Sequence, residues 1–111
     1  MIEKLADMIQ NAKHLVVFTG AGISTLSGIP DFRGAKGLYK QFDIGRLFDL
    51  HGFLEDPSFY YENTRDLIYA PDKYEPNIVH RVCARWEEEG RLRAVVTQNI
   101  DALHQRAGSQ K

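Results

Sequence analysis

With 111 residues, 43% of them hydrophobic and 26% charged, the chain has the composition of a soluble globular protein and the length of one small domain. A net charge of −1 leaves no global field to draw in nucleic acid or an anionic membrane, so neither is expected as a partner. Cys83 is the one cysteine, which excludes an internal disulfide or a cysteine zinc site closed within these residues. No run is long enough to span a bilayer, and Met1–Asp7 carries acids where a signal peptide is apolar, so a cytoplasmic location is the default.

Ile2, Leu5, Ile9 and Ala12 fall at helical spacing, with Glu3, Lys4, Asp7 and Gln10 on the other side. They predict an amphipathic first helix of the kind that covers a parallel sheet. Leu15-Val16-Val17-Phe18 is an apolar run closed off by Gly20 and reads as a buried parallel strand. Gly20-Ala21-Gly22 lets the backbone turn sharply, Ile23–Ser27 winds into a short helix, and Gly28 stops it. A strand feeding a glycine turn and a helix start aims N–H groups at one point, which attracts phosphate. Gly20 to Thr25 matches the dinucleotide fingerprint G-x-G-x-x-G, except that Thr25 holds the third glycine position. The plain alternative is a tight strand-to-helix turn. Asp43 lies near the distance of the usual ribose acid but follows no second strand, which disfavours a hydride-transferring dehydrogenase.

Pro30-Asp31-Phe32-Arg33-Gly34 crowds an acid, a ring and a guanidinium beside the turn. The loop runs to about Asp43 with Gly34 and Gly37 as points of motion, and such loops more often carry function than not. Asp31-Phe32-Arg33 reads as a surface loop with an incidental ion pair. The functional alternative is an arginine for pyrophosphate or ribose oxygens and a ring shielding a reactive sugar carbon. Phe42, Ile44, Leu47, Phe48 and Leu50 predict a short helical piece. Asp56-Pro57 is a capped helix start, and the helix carries Phe59, Tyr60, Leu67 and Ile68 before stopping ahead of Pro71.

Pro76 opens another helix, with Ile78, Val79, Val82, Cys83 and Trp86 as its apolar stripe, Arg81, Arg85 and Glu87–Glu89 toward water, and Gly90 as its stop. Leu92–Thr97 is the second strand. Gln98-Asn99-Ile100-Asp101 follows it, at the place where α/β sheets bind ligands. These groups suit ribose hydroxyls and a carboxamide; the alternative is a polar strand end with Asp101 as a helix cap. In a parallel pair both strand ends share one side, so Gly20–Gly22 and Gln98–Asp101 are expected to face one crevice. His104 is an acid or base by type only and more simply packs or caps. His14, His51 and His80 read as structural or solvated, and Tyr60, Tyr61 and Tyr74 as half-buried aromatics.

The strings GAGIS (20–24), GIPDFRG (28–34), LY (38–39), TQNID (97–101) and LHQRAGS (103–109), in this order, closely resemble the sirtuins, the NAD-dependent protein lysine deacylases. The resemblance runs the length of the chain. It implies an α/β fold: a Rossmann-like parallel sheet with covering helices and a small helical insertion, incomplete here. Residues 1–111 would be the N-terminal portion of a sirtuin catalytic domain, with Rossmann-like parts at about 1–30 and 76–111 and a cofactor loop and helical module at about 31–75. NAD is the implied cofactor. By position, Gly20, Ala21, Gly22 and Thr25 would line its phosphates and ribose. Asp31, Phe32 and Arg33 would lie in the cofactor loop, with Phe32 and Arg33 over the nicotinamide ribose. Gln98 and Asn99 would contact that ribose, Asn99 also supporting the chemistry, and Ile100 and Asp101 would hold the carboxamide.

The reaction so implied removes acetyl groups from protein lysines. The acyl oxygen attacks the anomeric carbon of the nicotinamide ribose, nicotinamide leaves, and O-acetyl-ADP-ribose and free lysine result. Phe32 would keep water from the reacting sugar. Family members that remove acidic acyl groups carry a tyrosine and an arginine three positions apart in the helix near Phe59. Here Tyr60 is followed at that spacing by Asn63 and Tyr61 by Thr64, so an acetyl-lysine protein or peptide is the expected partner. The family's base histidine is expected a few residues beyond Lys111, and zinc, held by two cysteine pairs, only in the complete protein. No metal site is expected here. A two-stranded sheet with open edges is marginal in water, so this polypeptide alone is expected to be a poor enzyme. A sirtuin-like NAD glycohydrolase and a non-catalytic nucleotide-binding or interaction remnant stand as alternatives.

Overall fold

The computed structural model describes residues 1–31, 37, 43–68 and 71–111. At its centre, strand β1 (Leu15–Thr19) pairs in parallel with β2 (Leu92–Thr97). Val16 lies against Ala94, Val17 against Val95, Phe18 against Val96 and Thr19 against Thr97, with an irregularity between Leu15 and Val16. Both strands stand where the apolar runs predict them.

The strands bury one face only. Thr19 is buried, and Leu15 and Val17 partly so, whereas Val16, Phe18 and Val96 are 50%, 67% and 48% exposed. The expectation of a strand buried on both faces is therefore corrected. Helix α1 (Ile2–Asn11) forms as its periodicity requires but buries none of its residues: Ile2, Leu5 and Met8 stay exposed. It ends at Ala12, whose extended backbone (ψ 129°) makes it the cap rather than a helical position.

After β1 the chain enters a 3-10 helix, Ala21–Ser27, and leaves it at Gly28, whose φ of +93° is a left-handed cap that glycine tolerates best. The predicted helical piece around residues 42–50 is two helices, α2 (Ile44–Leu47) and α3 (Leu50–Glu55). The break is Asp49, whose Oδ2 accepts Gly52 N–H at 2.7 Å and restarts the helix. Asp43 likewise caps α2 by accepting Arg46 N–H at 3.3 Å, a structural role that fits its rejection as a ribose acid. Helix α4 (Pro57–Ile68) packs on α2 and α3, with Phe59 and Tyr60 against buried Leu47. Tyr60 and Tyr74 are half-buried as expected; Tyr61 is exposed.

Helix α5 (Ile78–Glu88) begins one residue after the cap Asn77, so Pro76 lies just outside it. It packs on β2 and on the last helix, α6 (Leu103–Ala107). Cys83, Ala84, Leu92 and Leu103 form the apolar part of this contact. Glu87 was expected in water but is buried, because its Oε1 accepts Gln110 N–H at 2.7 Å and anchors the segment after α6. That segment returns to β2, where Lys111 C=O accepts Val95 N–H at 3.0 Å. The radius of gyration, 16.7 Å, exceeds the roughly 13 Å of a compact chain of this length.

Candidate functional site

The carboxyl ends of β1 and β2 lie side by side, which brings the glycine turn and the residues after Thr97 to one edge of the sheet. Hydrogen bonds lock the two together. Gln98 N–H donates to Thr19 C=O at 3.1 Å, and Asn99 Nδ2 donates to Gly20 C=O at 2.9 Å and to Ser24 Oγ at 3.4 Å. Ser24 Oγ in turn donates to Asp101 Oδ2 at 2.5 Å, while Asp101 Oδ1 accepts Leu103 N–H at 3.0 Å. Asp101 thus holds the first N–H of α6 from one residue ahead of its cap, Ala102, and ties this segment to the glycine turn through Ser24.

Of the residues singled out in the sequence, Gly20 and Asn99 are joined directly, and Asp101 is linked to Asn99 through Ser24. Gln98 lies close enough that a Cβ on Gly20 would sit 3.5 Å from its Oε1. Ala21 is half-buried and Gly22 exposed, and a Cβ on Gly22 would meet nothing within 4 Å. Thr25 is exposed and donates to Gly22 C=O at 2.8 Å, closing the first turn of the 3-10 helix. Ile100 is 70% exposed at the rim. Asp31 is half-buried next to Pro30, and Phe32, Arg33, Gly34, Leu38 and Tyr39 lie outside the described residues.

Residue-type reasoning missed Ser24, which is 1% exposed and bonds to Asn99 and Asp101. It also missed the support beneath them. Thr19 and Thr97 face each other with hydroxyls 2.9 Å apart, and Thr97 Oγ1 accepts Asn99 N–H at 3.0 Å. His104 Nε2 lies 3.0 Å from Thr19 Oγ1, and His80 stands edge-on to His104 at 4.9 Å. Paired threonines at the same position of two parallel strands were a readable signal. Both histidines are buried, which pushes their imidazoles below the ordinary value of 6.5; His104 adds to the effect at His80, and Asp101 opposes it at both. They are held neutral and pack, as the simpler expectation for His104 had it.

Among the described residues no three His, Cys, Asp or Glu side chains gather as metal ligands. Cys83 is buried with its thiol pushed up by desolvation. No described helix is long and apolar enough to cross a membrane.

A glycine turn and a polar strand end joined at the carboxyl edge of a parallel pair occupy the place where Rossmann-like α/β folds bind ligands. The chain belongs to the Sir2 family, the sirtuins, whose family model matches residues 20–111. It is 44% identical over 110 residues to an NAD-dependent protein deacetylase of Thermotoga maritima, covering 99% of this chain and 44% of that protein. It is 45% identical to NAD-dependent protein deacylase 2 of Archaeoglobus fulgidus, covering 99% of this chain and 43% of the relative. A solved Sir2 structure with a deacetylated p53 peptide and 3′-O-acetyl ADP-ribose superposes at a TM-score of 0.91, with 44% identity, covering 99% of this chain and 44% of that one. A Sir2 homologue in complex with ADP-ribose superposes at 0.92, with 38% identity, covering 100% of this chain and 45% of that one. The chain therefore spans less than half the length of these relatives.

Proposed function

We propose that the chain forms the N-terminal, NAD-facing part of an NAD-dependent protein lysine deacetylase. The observation that carries this is the joining of Gly20, Ser24, Asn99 and Asp101 over one crevice. The names of the relatives and their ADP-ribose and peptide complexes support it. On this reading residues 1–30 and 76–111 are the Rossmann-like parts and 31–75 the cofactor loop and helical module, in a cytoplasmic protein.

One observation is compatible with NAD binding at the turn. Open space where a Cβ on Gly22 would stand leaves the turn's backbone accessible to a ligand there. Gly20, Ala21, Gly22 and Thr25 would hold the phosphates and ribose, and Asp31, Phe32 and Arg33 the loop beside them. Gln98 and Asn99 would orient the nicotinamide ribose. Ile100 and Asp101 would receive the carboxamide; both Asp101 oxygens already accept a hydrogen bond, and each keeps a second lone pair. When bound, NAD supplies the sugar carbon that takes the acyl oxygen and the nicotinamide that departs. His80 and His104 are too buried to deprotonate a ribose hydroxyl. With a sheet face also uncovered, the 111 residues alone are read as a binding module with little or no turnover.

Titration with ADP-ribose, followed by calorimetry, tests the binding half; saturable one-to-one binding supports it and none at millimolar ligand refutes it. A deacetylation assay with acetyl-lysine peptide and NAD tests the rest, and efficient turnover by residues 1–111 would refute the binding-module reading. Nicotinamide release without any peptide would favour the glycohydrolase instead.

A further inference from the structure

Asn77 lies outside every motif assigned to the crevice, yet its side chain reaches the glycine turn. Its Nδ2 donates to Ile23 C=O at 2.7 Å and to Ser27 Oγ at 3.0 Å. Its Oδ1 accepts Val79 N–H at 2.9 Å, and its own N–H donates to His80 Nδ1 at 3.2 Å, closing the capping box of α5. Oδ1 and Nδ2 are thus divided between two tasks: the oxygen starts a helix, the nitrogen holds the turn.

The turn needs such a hold. Ala21–Ser27 is seven residues of 3-10 helix, longer than this geometry usually sustains, and its cap Gly20 offers no side chain. Asn99 and Asp101 grip it from the strand-end side at Gly20 and Ser24. Asn77 grips the flanking positions, Ile23 and Ser27, from α5. Both amide protons of Asn77 are committed to these bonds, so it acts on a ligand only through the turn.

We propose that Asn77 is a positioning residue: it fixes the pitch of the 3-10 turn against which the ADP-ribose part of NAD lies. This rests on the NAD reading above. Asn77→Asp separates the two tasks. Aspartate keeps the acceptor for Val79 N–H and is a good helix cap, but it turns an oxygen toward Ile23 C=O where a donor stood. Asn77→Ser does the same by a different route, capping α5 with a side chain too short to span to Ile23.

In the full chain, both variants are expected to melt near the parent temperature, followed by Trp86 fluorescence. Each is expected to bind ADP-ribose roughly tenfold more weakly. Hydrogen exchange at the amides of residues 23–29 should quicken, with those of β1 and β2 unchanged. Unaltered affinity in both variants overturns the proposal, as does unfolding of both, since α5 would then depend on more than its cap. If the parent itself does not bind ADP-ribose, the NAD reading fails. The positioning role for ADP-ribose then falls with it, and exchange tests only the hold on the turn: faster exchange confined to residues 23–29 sustains that hold, and no change overturns it.

Discussion

Ser24, from the turn after β1, and Asp101, from the segment after β2, share a hydrogen bond of 2.5 Å across the end of the sheet. It joins residues 77 positions apart, and Ser24 is almost wholly buried. Ser24→Ala removes the donor and leaves a partly buried carboxylate oxygen without it. The expected cost is about 1–3 kcal/mol in a urea melt, with weaker ADP-ribose binding. A variant as stable and as tightly binding as the parent would show that the bond holds nothing together.

Gly22 and Gly28 make opposite predictions although one lies within the same short helix that the other caps. A Cβ on Gly22 meets nothing, so Gly22→Ala should leave stability unchanged or slightly raised while weakening ADP-ribose binding. Gly28 sits at φ +93°, so Gly28→Ala should cost about 1–2 kcal/mol from backbone strain. Thermal melts and ligand titrations of the two variants check both.

Burial of His80 and His104 makes stability depend on pH. Their folded values lie below 6.5, their ordinary value, so the unfolded chain takes up protons that the folded chain refuses. Stability is therefore whole above that pH and declines as the pH falls from it toward the folded values. Urea midpoints should begin to drop between about pH 6.5 and 5.5, before ordinary carboxylates titrate. A flat profile across that interval would contradict neutral buried rings.

Glu87 holds Gln110 N–H by Oε1, while its Oε2 and the Ser109 hydroxyl are buried without a hydrogen-bond partner. Glu87→Ala should release residues 109–111 at about 1–3 kcal/mol, whereas Glu87→Gln, which keeps an acceptor, should change little. Hydrogen exchange at Gln110 and Val95 reads the difference.

Much of this was legible in the chain. Leu92–Thr97 reads as a strand from its apolar run alone, and Leu15–Phe18 fell short of β1 only by Thr19. Once two parallel strands are granted, the meeting of Gly20 with Asn99 follows from geometry. Ser24, Glu87 and the edge-on histidines were not legible, because each is polar and buried only by partners distant in sequence. The apolar stripe of α1 announced a helix correctly but not its surroundings: periodicity gives a face, not what that face touches. Asp49 could have been read as a second cap from its spacing to Gly52.

The parallel pairing of Thr19 with Thr97 joins residues 78 positions apart in the chain. Closing that span costs about 4 kcal/mol in its length-dependent part alone, whereas α2, α3 and α4 need only near neighbours. The helices should thus fold early and the crevice last. A nucleotide held there would select the molecules that have completed this closure, and the melting temperature should climb with its concentration.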